Sequence, residues 1–214
     1  MIKHALEFLR SELDIYIKSL PGHNDPKYVT LGNVALMDSD NNDALRNTLL
    51  LTLVNVEEES TLKNIKVMHK QANGATRFEN PPVHLNLYIL VSANFPDNYD
   101  NALIRLSQAI RFFQGKRLFN LQNAVGNSLK IKATDPDEPE RLDIQEMEIV
   151  LDLYTMTFEQ INHLWGSLGG KQIPFAMYKA RLVKLREPHF TGDAPPIEII
   201  RQEARPLDNS NTPQ

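Results

Sequence analysis

The sequence contains no cysteine, which excludes disulfide staples, thiolate nucleophiles and cysteine-ligated zinc or iron–sulfur centres. It has no apolar run near the roughly 18 residues that mark a membrane-crossing helix. Charges at Lys3, Glu7, Arg10 and Glu12 break up the N-terminus, so a signal-peptide apolar core is missing and a cytosolic origin is expected. Neither sign of charge dominates: 23 Lys and Arg against 27 Asp and Glu give a net charge of −4. That balance supplies no general attraction for nucleic acid or an anionic membrane. Internal repeats and long low-complexity tracts are also lacking.

What remains is an ordinary globular composition, 42% hydrophobic and 23% charged. The 214 residues suit one generous domain, or two small ones, with enough chain to bury about 70% of the surface exposed on unfolding. Ile2, Ala5, Leu6, Leu9, Leu13, Tyr16, Ile17 and Leu20 recur at helical steps, so residues 1–20 read as an amphipathic helix stopped by Pro21-Gly22. Strand-like segments follow over Tyr28–Met37, with Gly32 as a bulge, and over Thr48–Val56, apolar enough to be covered on both faces. A polar stretch leads to Val83–Ser92, where apolar and polar residues alternate most cleanly.

A second helix is capped by Phe95-Pro96-Asp97-Asn98 and runs to about Gln114. Tyr99, Ala102, Leu103, Leu106, Ala109, Ile110 and Phe113 form its expected buried stripe, with Gly115 as its C′ residue. Residues 117–133 read as short irregular β structure, and 135–140 as an acidic, proline-broken loop. A strand over Leu142–Leu153 precedes a short helix from Thr157, whose spacing to Gln160 fits a capping box. Ile161, Leu164, Trp165 and Leu168 give that helix an apolar face, Gly169-Gly170 ends it, and Pro174 opens a last strand, Phe175–Arg186. Residues 187–214 hold five prolines and read as an extended or disordered arm without a regular internal element. The expectation is an α+β domain over 1–186, with a mixed, largely antiparallel sheet flanked by two to three helices.

Chemistry is hard to find. The string from Trp165 to Gln172 lacks the first glycine of a phosphate-binding loop and the hydroxyl after its lysine, and it follows a helix instead of preceding one. As a nucleophile elbow it fails because Trp165 stands two residues before Ser167. A glycine cap is the simpler reading. His4, His23, His69, His84, His163 and His189 share no metal-ligand spacing. No catalytic residue, cofactor or metal site is expected. Basic residues gather near the end of the second helix (Arg105, Arg111, Lys116, Arg117) and along the last strand (Lys179, Arg181, Lys184, Arg186). They read either as an ordinary charged surface or as charges that answer acidic loops on a neighbouring subunit.

The start MIKHALEFLRSELDIYI, the strand LLLTLVNVEEE, and the blocks NPPVHLNLYILVSANFPDNYDNALIRLSQAIRFFQ and MTFEQINHLWGSLGGKQIPFAMYKARLV share a pattern. Over residues 1–186 it resembles the N-terminal domain of the cap, or tail-terminator, proteins of extracellular contractile injection systems. The resemblance implies a phage-tail-terminator-like fold and a hexameric ring on the distal end of the inner tube and contractile sheath. It also implies synthesis in the bacterial cytoplasm and incorporation into a particle that is released or membrane-anchored. Partners would be further copies of the chain and the sheath and tube proteins, with no nucleic acid and no direct membrane insertion. A baseplate or tube-completion adaptor of a similar particle is the alternative. Interface candidates are Arg181, Lys184 and Arg186 on the last strand, and Phe190, Ile197, Ile199 and Ile200 in the arm.

Overall fold

The computed structural model describes residues 1–22, 25–37, 43–59, 67–70, 76–79, 82–126, 147–185 and 190–194. The chain forms two units, Met1–Ile65 with Pro81–Glu187, and Lys66–Asn80 with Pro188–Gln214.

In the first unit, helix α1 (Ile2–Ser19) buries Ala5, Leu6, Phe8, Leu9, Leu13 and Ile17, and Gly22 turns the chain beyond it at φ +78°. Strands β1 (Val29–Leu31), β2 (Thr48–Glu58), β5 (Val83–Asn94), β8 (Phe175–Leu185), β7 (Glu148–Tyr154) and β6 (Leu118–Asn120) make one sheet in that spatial order. β1 and β2 are parallel and every other neighbouring pair is antiparallel, so the sheet is mixed and largely antiparallel. Together with α1, α2 (Tyr99–Gly115) and α3 (Phe158–Ser167) it makes the α+β fold that the sequence implies.

Alternation along the strands divides the sheet into two faces. Leu49 and Leu51 of β2, Leu87, Ile89 and Val91 of β5, and Tyr178 and Ala180 of β8 join α1, Ala102, Ala109 and Phe113 in the main core. Leu50, Leu90 and Met177 point the other way, to Val34, Leu45 and Trp165. β2 is therefore covered on both faces over Thr48–Thr52, as its unbroken apolar run implies, and it emerges into solvent at Val56–Glu58. Each large side chain buried in these cores contributes roughly 1.5–3 kcal/mol.

Several sequence expectations are revised. The strand expected over Tyr28–Met37 stops at Leu31 and gives way to a 3₁₀ turn over Val34–Leu36. Asn33 starts this turn by accepting from the Ala35 N–H at 3.0 Å. Thr52 Oγ1 fastens it by donating to the Gly32 carbonyl at 2.6 Å and accepting from the Val34 N–H at 3.2 Å. Gly32 is a place of close packing, since a Cβ there would lie 2.7 Å from Leu45 Cδ2. Gly115 is the last residue of α2, and the chain leaves the helix through extended Lys116 at φ −128°, not through a left-handed glycine. At α3, by contrast, Thr157 and Gln160 form the capping box, and Gly169 and Gly170 take φ +101° and +80°. The Gly170 N–H reaches back to the Trp165 carbonyl at 2.7 Å, which closes the helix in a Schellman turn. β6 and a 3₁₀ turn at Leu121–Asn123 occupy part of the irregular 117–133 segment. Residues 127–133, the acidic loop 135–140 and the start of the expected strand at Leu142 lie outside the described residues.

The second unit contains a three-stranded antiparallel sheet with β4 (Thr76–Glu79) between β3 (Val67–Lys70) and β9 (Phe190–Ala194). The sequence reading gave the arm no regular element, yet β9 pairs Ala194 with Thr76 and Phe190 with Glu79. Proline blocks a strand only where an N–H is needed, and Pro188 and Pro195 fall just outside this one.

Candidate assembly interface

α3 packs Trp165 against Leu50, Leu90 and Met177 on one face of the sheet, and the same face also carries polar side chains. Cross-strand partners share a face, so the register places Asn55, Tyr88, Lys179 and Asp152 in one row across β2, β5, β8 and β7. The Tyr88 hydroxyl donates to Glu57 Oε2 at 2.8 Å, its ring stands edge-on to Tyr154 at 5.2 Å, and Lys179 Nζ lies 5.4 Å from its centroid. Partial burial, and then the bond to Glu57, raise the Tyr88 pKa above the ordinary tyrosine value, while Lys179 pulls it down.

At the end of this row, Asp152 accepts from two arginines at once: Arg117 on Oδ1 and Arg181 on Oδ2, each at 2.6 Å. The pair of arginines on one carboxylate leaves a net positive charge at side chains 59% and 46% exposed. Exposed ion pairs stabilise a fold by little, so this triad acts mainly to fix the position and sign of the surface charge.

Most of the basic residues singled out in the sequence turn out to have partners within the chain. Arg105 lies 4.5 Å over the Tyr28 ring, and Lys116 donates to Glu12 Oε2 and to the Asn123 carbonyl, both at 2.6 Å. Arg181 sits on β8 opposite Val150. Lys184 lies on the same strand opposite His84, and Phe190 opens β9. Arg186, Ile197, Ile199 and Ile200 fall outside the described residues.

The structure also shows apolar surface that the sequence reading buried. Tyr99, Leu103 and Ile110 were assigned to the inner stripe of α2, but they are 63%, 42% and 38% exposed. The sheet contacts a narrower band, Ala102, Leu106, Ala109 and Phe113. Ile104, which no inward stripe could include, was the signal in the sequence that α2 has a second apolar side. Phe158, the first residue of α3, is 87% exposed, and Leu153 at the end of β7 is 56% exposed.

A cleft of about 420 Å³ is lined by Leu6, Leu31, Leu53 and Leu164 together with Asn33, Thr52 and Ser167. Asn33 and Thr52 hold the 3₁₀ turn, and Ser167 Oγ donates to the Leu164 carbonyl at 2.7 Å. Among the described residues no group of three His, Asp or Glu side chains is placed to hold a metal ion, and no helix is long and apolar enough to cross a membrane.

No curated protein matches the sequence. The fold is similar to a sheath/tube terminator of the PVC extracellular contractile injection system in its extended state, with a TM-score of 0.58 and 13% identity. That match covers 98% of this chain and 65% of the terminator, so the chain spans less than two thirds of its relative. The tube-terminating cap of the anti-feeding prophage matches at 12% identity and a TM-score of 0.46, over 73% of this chain and 49% of the cap. Residues 4–199 match the Pvc16 N-terminal domain, and the chain belongs to that family.

Proposed function

We propose that the protein terminates the inner tube and contractile sheath of a contractile injection particle, seated as a hexameric ring on their distal end. The observation that carries this reading is the family match over residues 4–199, joined to a fold shared with a sheath/tube terminator. The reading includes no enzymatic activity. The polar side chains Asn33, Thr52 and Ser167 of the cleft are already spent on the backbone, while side chains such as Phe158 and the Arg117–Asp152–Arg181 triad face outward, where another protein would meet them.

Termination has a simple physical logic. Tube subunits bind head to tail, and such contacts propagate until a surface breaks the pattern. A terminator matches the last ring on one side and offers a different surface on the other. In this reading Arg181, Lys184 and Arg186 answer acidic groups on partner chains. Phe190, Ile197, Ile199 and Ile200 anchor the arm on a neighbouring subunit or on the sheath. Fully extended, residues 195–214 beyond β9 would reach about 65 Å, enough to cross a subunit boundary.

The test is the length distribution of particles from cells that lack the protein. Tubes and sheaths of unregulated length, restored to uniform length by the full chain but not by a chain ending at Ala194, are expected. Uniform particles in the absence of the protein would refute the reading.

A further inference from the structure

The side of α2 turned away from the sheet carries Tyr99, Leu103, Ile104 and Ile110, all exposed. At 100° per residue these fall with Asp100, Ser107, Arg111 and Gln114 within about 140° of the helix circumference, and the latter four are exposed as well. Charge is sorted along this side, with Asp100 in the first turn and Arg111 near the other end. Ser107, the smallest side chain of the set, stands at the middle residue of α2. Its hydroxyl donates to the Leu103 carbonyl at 2.7 Å and so presents no unmet donor to a partner.

We infer that this side of α2 pairs with the same side of α2 in a second copy of the chain, antiparallel, across a two-fold axis near Ser107. The charge pattern selects this occupant and this orientation. Antiparallel apposition brings the acidic end of each helix to the basic end of the other, and a parallel one would set like charges together. Residues equally spaced from Ser107 face each other, so Ile104 meets the second copy's Ile110. Arg111 reaches one turn along toward the second copy's Asp100. The small Ser107 lets the backbones approach at the crossing, and the four apolar side chains lose their water. Such a contact is isologous and closes at two copies, so it is separate from the head-to-tail contacts of a ring and stands without them.

The absence of cysteine makes the test direct. Ser107→Cys gives the full chain its sole thiol, and a thiol on the axis meets its own copy. Mild oxidation at micromolar concentration should yield a covalent dimer, whereas Glu159→Cys, an exposed position on α3, should yield little. Adding Arg111→Asp should raise the concentration for half-maximal dimer about tenfold, and adding Asp100→Arg to that variant should reverse the effect. The charge-exchanged protein also shows that the chain still folds. Equal cross-linking from the two thiol positions, or indifference to Arg111→Asp, would overturn the inference. So would shielding of the Ser107→Cys thiol only when tube or sheath protein is added.

Discussion

The Tyr178 ring packs 5.0 Å from Phe113, and among the described residues its hydroxyl has no hydrogen-bond partner, although the residue is only 3% exposed. Burial pushes its pKa from 10.0 to about 12. Between those values the folded chain keeps a proton that the unfolded chain has lost. Stability is therefore fully retained below pH 10, where the ring is neutral in both states, and it falls as the pH rises to about 12. The loss amounts to about 2–3 kcal/mol. Tyr178→Phe removes both the titration and an unmet donor. It should leave stability near neutrality unchanged or higher by about 1 kcal/mol and flatten the alkaline decline. Denaturant unfolding of both proteins from neutral to alkaline pH checks this, and an equally steep decline in the variant would count against it.

At the scale of elements, polar ties complement the apolar layers. Glu12 lies inside α1 with its side chain fully buried. Its Oε1 accepts from the Val125 N–H and its Oε2 from Lys116 Nζ, both at 2.6 Å, which fastens α1 to the chain just beyond α2 and to the turn after β6. Asp14 works similarly at the other sheet edge, accepting from the Tyr28 N–H at 2.7 Å and the Val29 N–H at 3.2 Å to set the start of β1. Glu12→Leu strands the Lys116 ammonium, 20% exposed, and leaves the Val125 N–H unmet, at a cost of about 3 kcal/mol. Adding Lys116→Leu should recover part of that loss but not all, because Val125 still lacks its acceptor. Urea unfolding of the three proteins decides it, and a single variant costing under about 1 kcal/mol would disprove the tie.

These ties also show where a sequence stops being legible. The α1 stripe, the buried start of β2 and the capping of α3 follow from local periodicity and end chemistry and appear as read, whereas β5, read as an alternating strand, is buried on both faces from Ile89 to Asn94. Nothing in the local sequence marks Glu12 and Asp14 as buried, because the backbone N–H groups that they accept from stand 14 to 113 residues further along the chain. β3 and β4 are four residues each, too short for a period to emerge from a polar stretch. β9 depends on a partner strand over a hundred residues away, so proline content alone misjudged it. For the candidate interface, the basic residues were visible, but their pairing within the chain was not. Nor could periodicity show how much of α2 the sheet would leave uncovered.

At the scale of the whole molecule, the proposed role of this chain is to stop polymerisation. A capping protein needs surfaces fitted to other chains more than a reactive pocket, and among the described residues the polar sheet face and the exposed α2 side offer such surfaces. The most direct measurement is electron microscopy of intact particles carrying a label on this chain. Density for a ring of labelled subunits at the end opposite the baseplate, capping both tube and sheath, is the predicted result. Label at the baseplate end, along the sheath, or absent from the particle would contradict the account.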